Sequence, residues 1–129
     1  MFRVAYRSTL NNGVGEAEIE SIAERSAQKN AQAGVTGVWL LSGRRCLSGL
    51  EGDPRIVRQL VEDIWDDRRH DDFALVAVGA RESGLFDWPF RLIRAKDLAQ
   101  NPALLGHDGV AWLCSLDGGA DGFFSRTGG

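Results

Sequence analysis

Tyr6, Ser8, Ser26 and Asn30 are the residues of this sequence whose type and spacing point to chemistry rather than to packing alone. The segment Phe2-Arg3-Val4-Ala5-Tyr6-Arg7-Ser8 alternates strictly, so Phe2, Val4, Tyr6 and Ser8 share one face of a strand and Arg3, Ala5 and Arg7 the other. Farther on, Ile19, Ile22, Ala23, Ser26, Ala27 and Asn30 follow at steps of three and four, which puts a hydroxyl and a carboxamide on the apolar face of a helix. A buried amide left without partners costs about 1–3 kcal/mol, and the alanines beside it leave room. Such a face suits a flat, polar ligand between helix and sheet. It equally suits an asparagine that caps the helix end, and a lone tyrosine whose hydroxyl is satisfied within the core. Arg69 and His70, adjacent after a second helix, can hold a phosphate or simply solvate a helix end. Spacing brings neither His70 nor His107 together with the scattered carboxylates. No nucleophile or metal-ligand motif stands out, so an enzyme is not expected.

The elements that must position these residues can be read in order. The first strand is expected to be half-buried. Asn11-Asn12-Gly13 breaks its pattern, and a helix runs from about Glu16 to a stop at Gly34. Val35 to Leu41 and Arg45 to Glu51 flank Ser42-Gly43 and form a hairpin. Asp53-Pro54 starts a second helix, since aspartate caps free amides and proline fits the first helical position. Its apolar stripe is Ile56, Val57, Leu60, Val61, Ile64 and Trp65. Phe73 to Val78 and Phe90 to Ile93 read as strands. The order is βαββαββ: an α+β, ferredoxin-like sheet with two helices packed on one face, over residues 1–94. Residues 95–129 form a C-terminal extension. In it, 97–105 reads as a short helix, Val110 to Leu116 as a cap on the sheet or a partner surface, and the glycine-rich stretch from Asp117 as a fraying end.

Composition narrows the classes. The chain has 129 residues, 43% hydrophobic and 26% charged, with a net charge of −3, which describes one globular domain. The charge is mixed, without the basic stripe of a nucleic-acid binder, and the first and third strands lack exposed aromatics for stacking bases. No apolar run approaches the roughly 20 residues of a membrane span. The N-terminus reads as a strand rather than a leader, and Cys46 and Cys114 lack metal spacing, so free thiols and a cytoplasmic home are expected.

Five short pieces then stand in register on the βαββαββ pattern: Tyr6-Arg7-Ser8; Asn30 with Gly34-Val35-Thr36-Gly37; Leu50-Glu51-Gly52; Asp67-Arg68-Arg69-His70; and Phe86-Asp87-Trp88. Together, over roughly residues 2 to 93, they resemble the BLUF family of blue-light-sensing flavin domains. The resemblance implies a flavin, typically FAD, held between the two helices and the sheet; FMN, or no flavin at all, are the alternatives. It implies that Tyr6 is the electron and proton donor and that Asn30 bonds the pyrimidine edge of the ring. By the same resemblance Ser8, Ser26 and Lys29 lie near the pocket, Ile64 packs on the ring, and Asp67, Arg69 and His70 lie on the ribityl and phosphate side. Trp88 and Phe90 fall in the family's signalling segment, where methionine is frequent at the position of Phe90.

One departure bears directly on function. The family carries a glutamine two residues before Leu-Glu-Gly, bridging the tyrosine and the flavin, and here that residue is Ser48. One hydroxyl cannot copy a carboxamide's two donors and acceptor. The expectation is a BLUF-type flavin-binding sensor, or a degenerate form with an impaired photocycle, that signals through a protein partner or its own oligomer. The competing expectation is a flavin-free BLUF-fold module acting through regulatory or dimerising contacts.

Overall fold

The strict alternation of the N-terminal segment does produce a strand. In the computed structural model, which describes residues 1–125, strand β1 spans Phe2–Leu10. It is followed by helix α1 (Glu16–Ala33), strands β2 (Thr36–Ser42) and β3 (Arg45–Gly52), helix α2 (Pro54–Trp65), and strands β4 (His70–Ala80) and β5 (Arg91–Arg94). Short α-helices follow, α3 (Ala95–Gln100), α4 (Asp108–Ser115) and α5 (Gly119–Ser125), with a 3-10 helix over Pro102–Gly106 between the first two. The sheet is mixed, in the order β4-β1-β3-β2-β5, antiparallel except for the β2–β5 pair. This is the expected α+β, ferredoxin-like arrangement, extended by a fifth strand.

The two long helices end where the sequence says they should. Gly34 closes α1 in the left-handed region at φ 70°, where its missing Cβ removes the strain. Asp53 accepts from the backbone N–H of Arg55 and Pro54 opens α2. Of the expected α2 stripe, Val57 and Val61 are buried, Leu60 and Ile64 partly so. Ile56 and Trp65 instead lie exposed, Trp65 at 61%. Trp65 still lies 5.1 Å from the Phe73 ring of β4, so one side of the indole is covered while the other faces solvent.

Three further expectations need correction. Strand β1 is buried on both faces, not half-buried, because helices α4 and α5 cover the sheet side opposite α1 and α2. There Ala5, Val38, Leu40, Leu47, Ile93, Val110, Leu113 and Phe123 form one core. The Val110 to Leu116 segment is thus a helical cap on the sheet. The glycine-rich stretch is also helical over Gly119–Ser125, since Phe123 is anchored in that core; its last four residues lie outside the described ones. The hairpin turn falls one residue later than expected, at Gly43-Arg44, with Ser42 paired to Arg45 and Gly43 at φ 61°.

The buried pair Arg3–Glu51 locks the back face. Arg3 Nε lies 2.6 Å from Glu51 Oε2, and Glu51 Oε1 accepts from the backbone N–H groups of Leu85 and Phe86 at 2.8 and 2.9 Å. Phe86 is thereby seated against Gly49 and Gly109, where a Cβ would come within 2.4 Å of its ring. Gly49→Val should therefore lower the unfolding midpoint, at a cost of about 1–3 kcal/mol for forced overpacking; a denaturant midpoint within error of the parent would refute the close fit.

Candidate binding site between the two helices

A cavity of about 220 Å³ lies between α1, α2 and the helix-covered face of the sheet. Pairing register builds its floor. Tyr6 pairs with Ser48, and Ser48 with Trp39, giving a cross-strand row of phenol, hydroxyl and indole; Ser8 and Cys46 are the neighbouring pair. Helix α1 contributes Ile22, Ser26, Lys29 and Asn30, helix α2 contributes Leu60, Asp63 and Ile64, and the turn beyond contributes Asp67, Arg69 and His70. Phe90 closes one end and lies 6.2 Å from Trp39, ring to ring.

All ten residues expected around a ligand, namely Tyr6, Ser8, Ser26, Lys29, Asn30, Ser48, Ile64, Asp67, Arg69 and His70, line this one cavity. Asn30 does not cap its own helix. It is buried, and its Nδ2 donates to the Pro89 carbonyl at 2.9 Å across the fold. One donor is spent, so a second N–H and the carbonyl remain for other partners. Ser8 Oγ is buried beside the Cys46 thiol, a weak partner, and makes no well-formed hydrogen bond, so it keeps capacity for something polar.

Trp88 is not in this cavity. It stacks on His107 at 4.3 Å and lies under the Arg91 guanidinium, toward the C-terminal helices. Its backbone still reaches the sheet, because Gly37 donates to the Trp88 carbonyl at 2.8 Å.

Reading the residues alone missed Trp39, Cys46 and Asp63. Trp39 joins the row of Tyr6 and Ser48 because the two-residue turn at Gly43-Arg44 sets it opposite Ser48; a turn one residue earlier would set it opposite Cys46. Asp63 faces Lys29 at 3.8 Å across the mouth, a pairing between two helices that no local pattern reveals. Among the described residues no cluster of His, Cys, Asp and Glu could hold a metal ion, and no helix is long and apolar enough to cross a membrane.

Burial sets the protonation state of the floor. It pushes the Tyr6 phenol well above its usual range, partly offset by the Ser48 hydrogen bond, and it raises the Cys46 thiol as well. A folded-state value above the unfolded value of about 10 means that the native protein keeps a proton which the unfolded chain releases. Stability from this group is complete below about pH 10 and is lost as pH rises beyond it. Tyr6 is the single tyrosine, so tyrosinate absorbance should appear only together with loss of the circular dichroism signal. Tyrosinate formed near its ordinary pH in a folded protein would contradict the burial.

Residues 1–90 match the sequence model of the family described as BLUF, sensors of blue-light using FAD. Comparison with curated proteins gives no significant match. Among solved structures, BlrB, a BLUF protein in its dark state, superposes with a TM-score of 0.72 at 28% identity, over 80% of this chain and 80% of that one. BlsA in its photo-activated state gives 0.70 at 20% identity, over 84% and 79%. A calcium and cyclic-diGMP complex of Klebsiella pneumoniae BlrP1 gives 0.73 at 21%, over 83% and 28%. The last two likenesses bear on the fold alone. The chain spans only 24% of BlrP1 in another of its complexes and 32% of a bacterial light-regulated adenylyl cyclase.

Proposed function

This chain belongs to the BLUF family of flavin-binding blue-light sensors, and from that premise we propose that its own cavity holds a flavin ring while Ser48 leaves the light-driven hydrogen-bond switch impaired. The half-used amide of Asn30 carries this reading. A flavin presents an edge of alternating carbonyls and N–H, to which one free donor and one free acceptor are complementary, and the buried Ser8 hydroxyl, with only a weak thiol neighbour in Cys46, adds a polar contact beside it. The residues present therefore fit such a ring.

Bound there, a flavin supplies a blue-absorbing chromophore whose excited state takes up an electron and a proton. The chain's residues take the remaining roles. Asn30 and Ser26 orient the ring from α1, and Ile64 and Leu60 pack on it from α2. Tyr6, held protonated by burial, is the donor. Ser48 touches the Tyr6 phenol but ends too short to bridge from it to a ligand edge. Phe90 and Trp88, on one short segment, lead toward the C-terminal helices and are the assigned output route. Residues 1–94 form the ligand-binding unit and the extension from residue 95 caps the sheet.

The chain is read as a sensor that is not itself an enzyme and that passes its signal to a protein partner or to its own oligomer. Its buried, unbridged thiols Cys46 and Cys114 suit the reducing cytoplasm. The flavin-free alternative, a contact module, draws on exposed Trp65, Leu75 and Val78 at the β4 side of the helix-covered face.

Titration of the protein into FAD separates the two. Uptake with quenched flavin fluorescence is expected, and Asn30→Ala should raise Kd about tenfold, the equivalent of roughly 1.4 kcal/mol. Failure to take up any flavin would refute the reading and leave the contact module.

A further inference from the structure

Strand β4 forms one edge of the sheet, with β1 on its inner side and no strand on its outer side. Edge strands are commonly guarded against association by charged residues or proline, yet from Phe73 to Ala80 this one has neither. Leu75 and Val78 are 45% and 52% exposed, and with Trp65 and Val61 of α2 they line an apolar groove beside the edge. A patch of this kind marks an interaction surface.

A bulge gives the edge a symmetry that an ordinary strand lacks. The register shifts between Ala5 and Tyr6, so that Ala77 pairs with Ala5 but Leu75 with Tyr6. Phe73, Leu75, Val78 and Ala80 therefore all lie on the helix-covered side, beside Tyr6, Val4 and Phe2. Ala74, Val76, Ala77 and Gly79 lie on the other side. Read from either end about the Val76–Ala77 peptide, the order of sides is the same. Opposite residues of an antiparallel pair share a side, so a second β4 can lie antiparallel with Leu75 facing Val78 and Val76 facing Ala77, every residue from 73 to 80 matched. That one register also sets Asp72 against Arg81.

Charge follows the same symmetry. Arg58, which lies over the Phe2 ring, and Arg81 stand at one end of the edge, while Glu62, Asp66, Asp71 and Asp72 stand toward the other. Among the described residues none of these six forms a salt bridge, and the Arg81 guanidinium bonds only the adjacent Ala80 carbonyl. A two-fold axis through the middle of β4 brings each basic end onto the acidic end of the other copy.

We propose that this chain forms a two-fold dimer by antiparallel pairing of its β4 edges, joining two five-stranded sheets into one. The edge lies outside the cavity between the helices, so the proposal goes beyond the flavin reading and does not rest on it.

Light scattering and sedimentation of the whole chain test this, and the parent should have the mass of two copies. Val78→Lys places an ammonium against Leu75 of the other copy, twice per dimer, and should give a monomer with the circular dichroism of the parent, since Val78 is half exposed. Mixing tests the register. Arg81→Glu alone and Asp72→Lys alone each set like charges opposite one another and should raise the dimer Kd about tenfold. Mixed in equal amounts, each variant supplies the charge the other lacks, and a heterodimer should form with a Kd within about threefold of the parent. A parent that stays monomeric at high micromolar concentration, a dimer indifferent to Val78→Lys, or no recovery on mixing would overturn the proposal. Flavin uptake, titrated on the same samples, reads the cavity separately: a dimer without uptake refutes the flavin reading alone, and uptake by a monomer refutes the dimer alone.

Discussion

Replacing Ser48 with glutamine is expected to produce a flavin-loaded protein whose visible band shifts to the red after blue illumination, whereas the parent shows little or no shift. Ser48 sits in the middle of the floor row, between Tyr6 and Trp39, and is buried. Its hydroxyl lies beside the Tyr6 phenol as its cross-strand partner and has a single hydrogen to donate. A glutamine at this position carries its amide about two bonds further out, into the cavity, and offers two donors and an acceptor. It can hold the phenol and a ligand edge together and exchange which of its ends faces each. The double variant Ser48→Gln with Tyr6→Phe should lose the shift again, because no phenol remains to give up a proton. Lit-minus-dark difference spectra decide the matter. A Ser48→Gln protein that binds flavin and still shows no shift would place the defect elsewhere in the row, with the indole of Trp39 the first side chain to test by Trp39→Leu.

Glu51→Ala should cost about 3–5 kcal/mol, the range for removing one member of a buried ion pair, and should move the urea midpoint down by about 2 M for a domain of this size. The side chains of Arg3 and Glu51 are 7% and 1% exposed, so the variant leaves a guanidinium in the interior beside Trp112 without its counter-charge. It also strands the N–H groups of Leu85 and Phe86, both of which donate to this carboxylate. Glu51→Gln retains an acceptor for those two amides and should recover part of the loss. A drop below about 1 kcal/mol for Glu51→Ala would mean that Arg3 finds water or the Ser83 carbonyl sufficient. This pair ties the segment carrying Phe86, Trp88 and Phe90 to the sheet. The glutamate of the Leu-Glu-Gly piece is therefore a structural anchor behind the cavity rather than a member of it.

Both long helices, their caps and the inward turn of Asn30 were legible in the chain because they depend on neighbours within a few residues: a helical period, Asp53-Pro54, Gly34. Trp39 was not, since its place opposite Ser48 depends on a hairpin register in which moving the turn by one residue would set it against Cys46 instead. The exposure of Ile56 and Trp65 was not, since α2's periodicity says which way the residues point and says nothing about what packs over them. Burial of Arg3, which the alternation of β1 placed on the face away from the helices, was invisible for a related reason: its cover is built from residues more than eighty positions later.

By itself, then, the sequence determined the order of elements, the family pattern, the phenol and amide placed toward one slot, and the serine at position 48 on which the proposed impairment rests. Only the tertiary structure decided that ten dispersed residues share one cavity, that Arg69 is matched by Asp67 and Glu18, and that the C-terminal segment caps the sheet. Local pattern follows from the geometry of one helix or strand, whereas the pairing of charges and the covering of faces are settled by which distant segments meet, and no short window of residues contains both halves of such a contact.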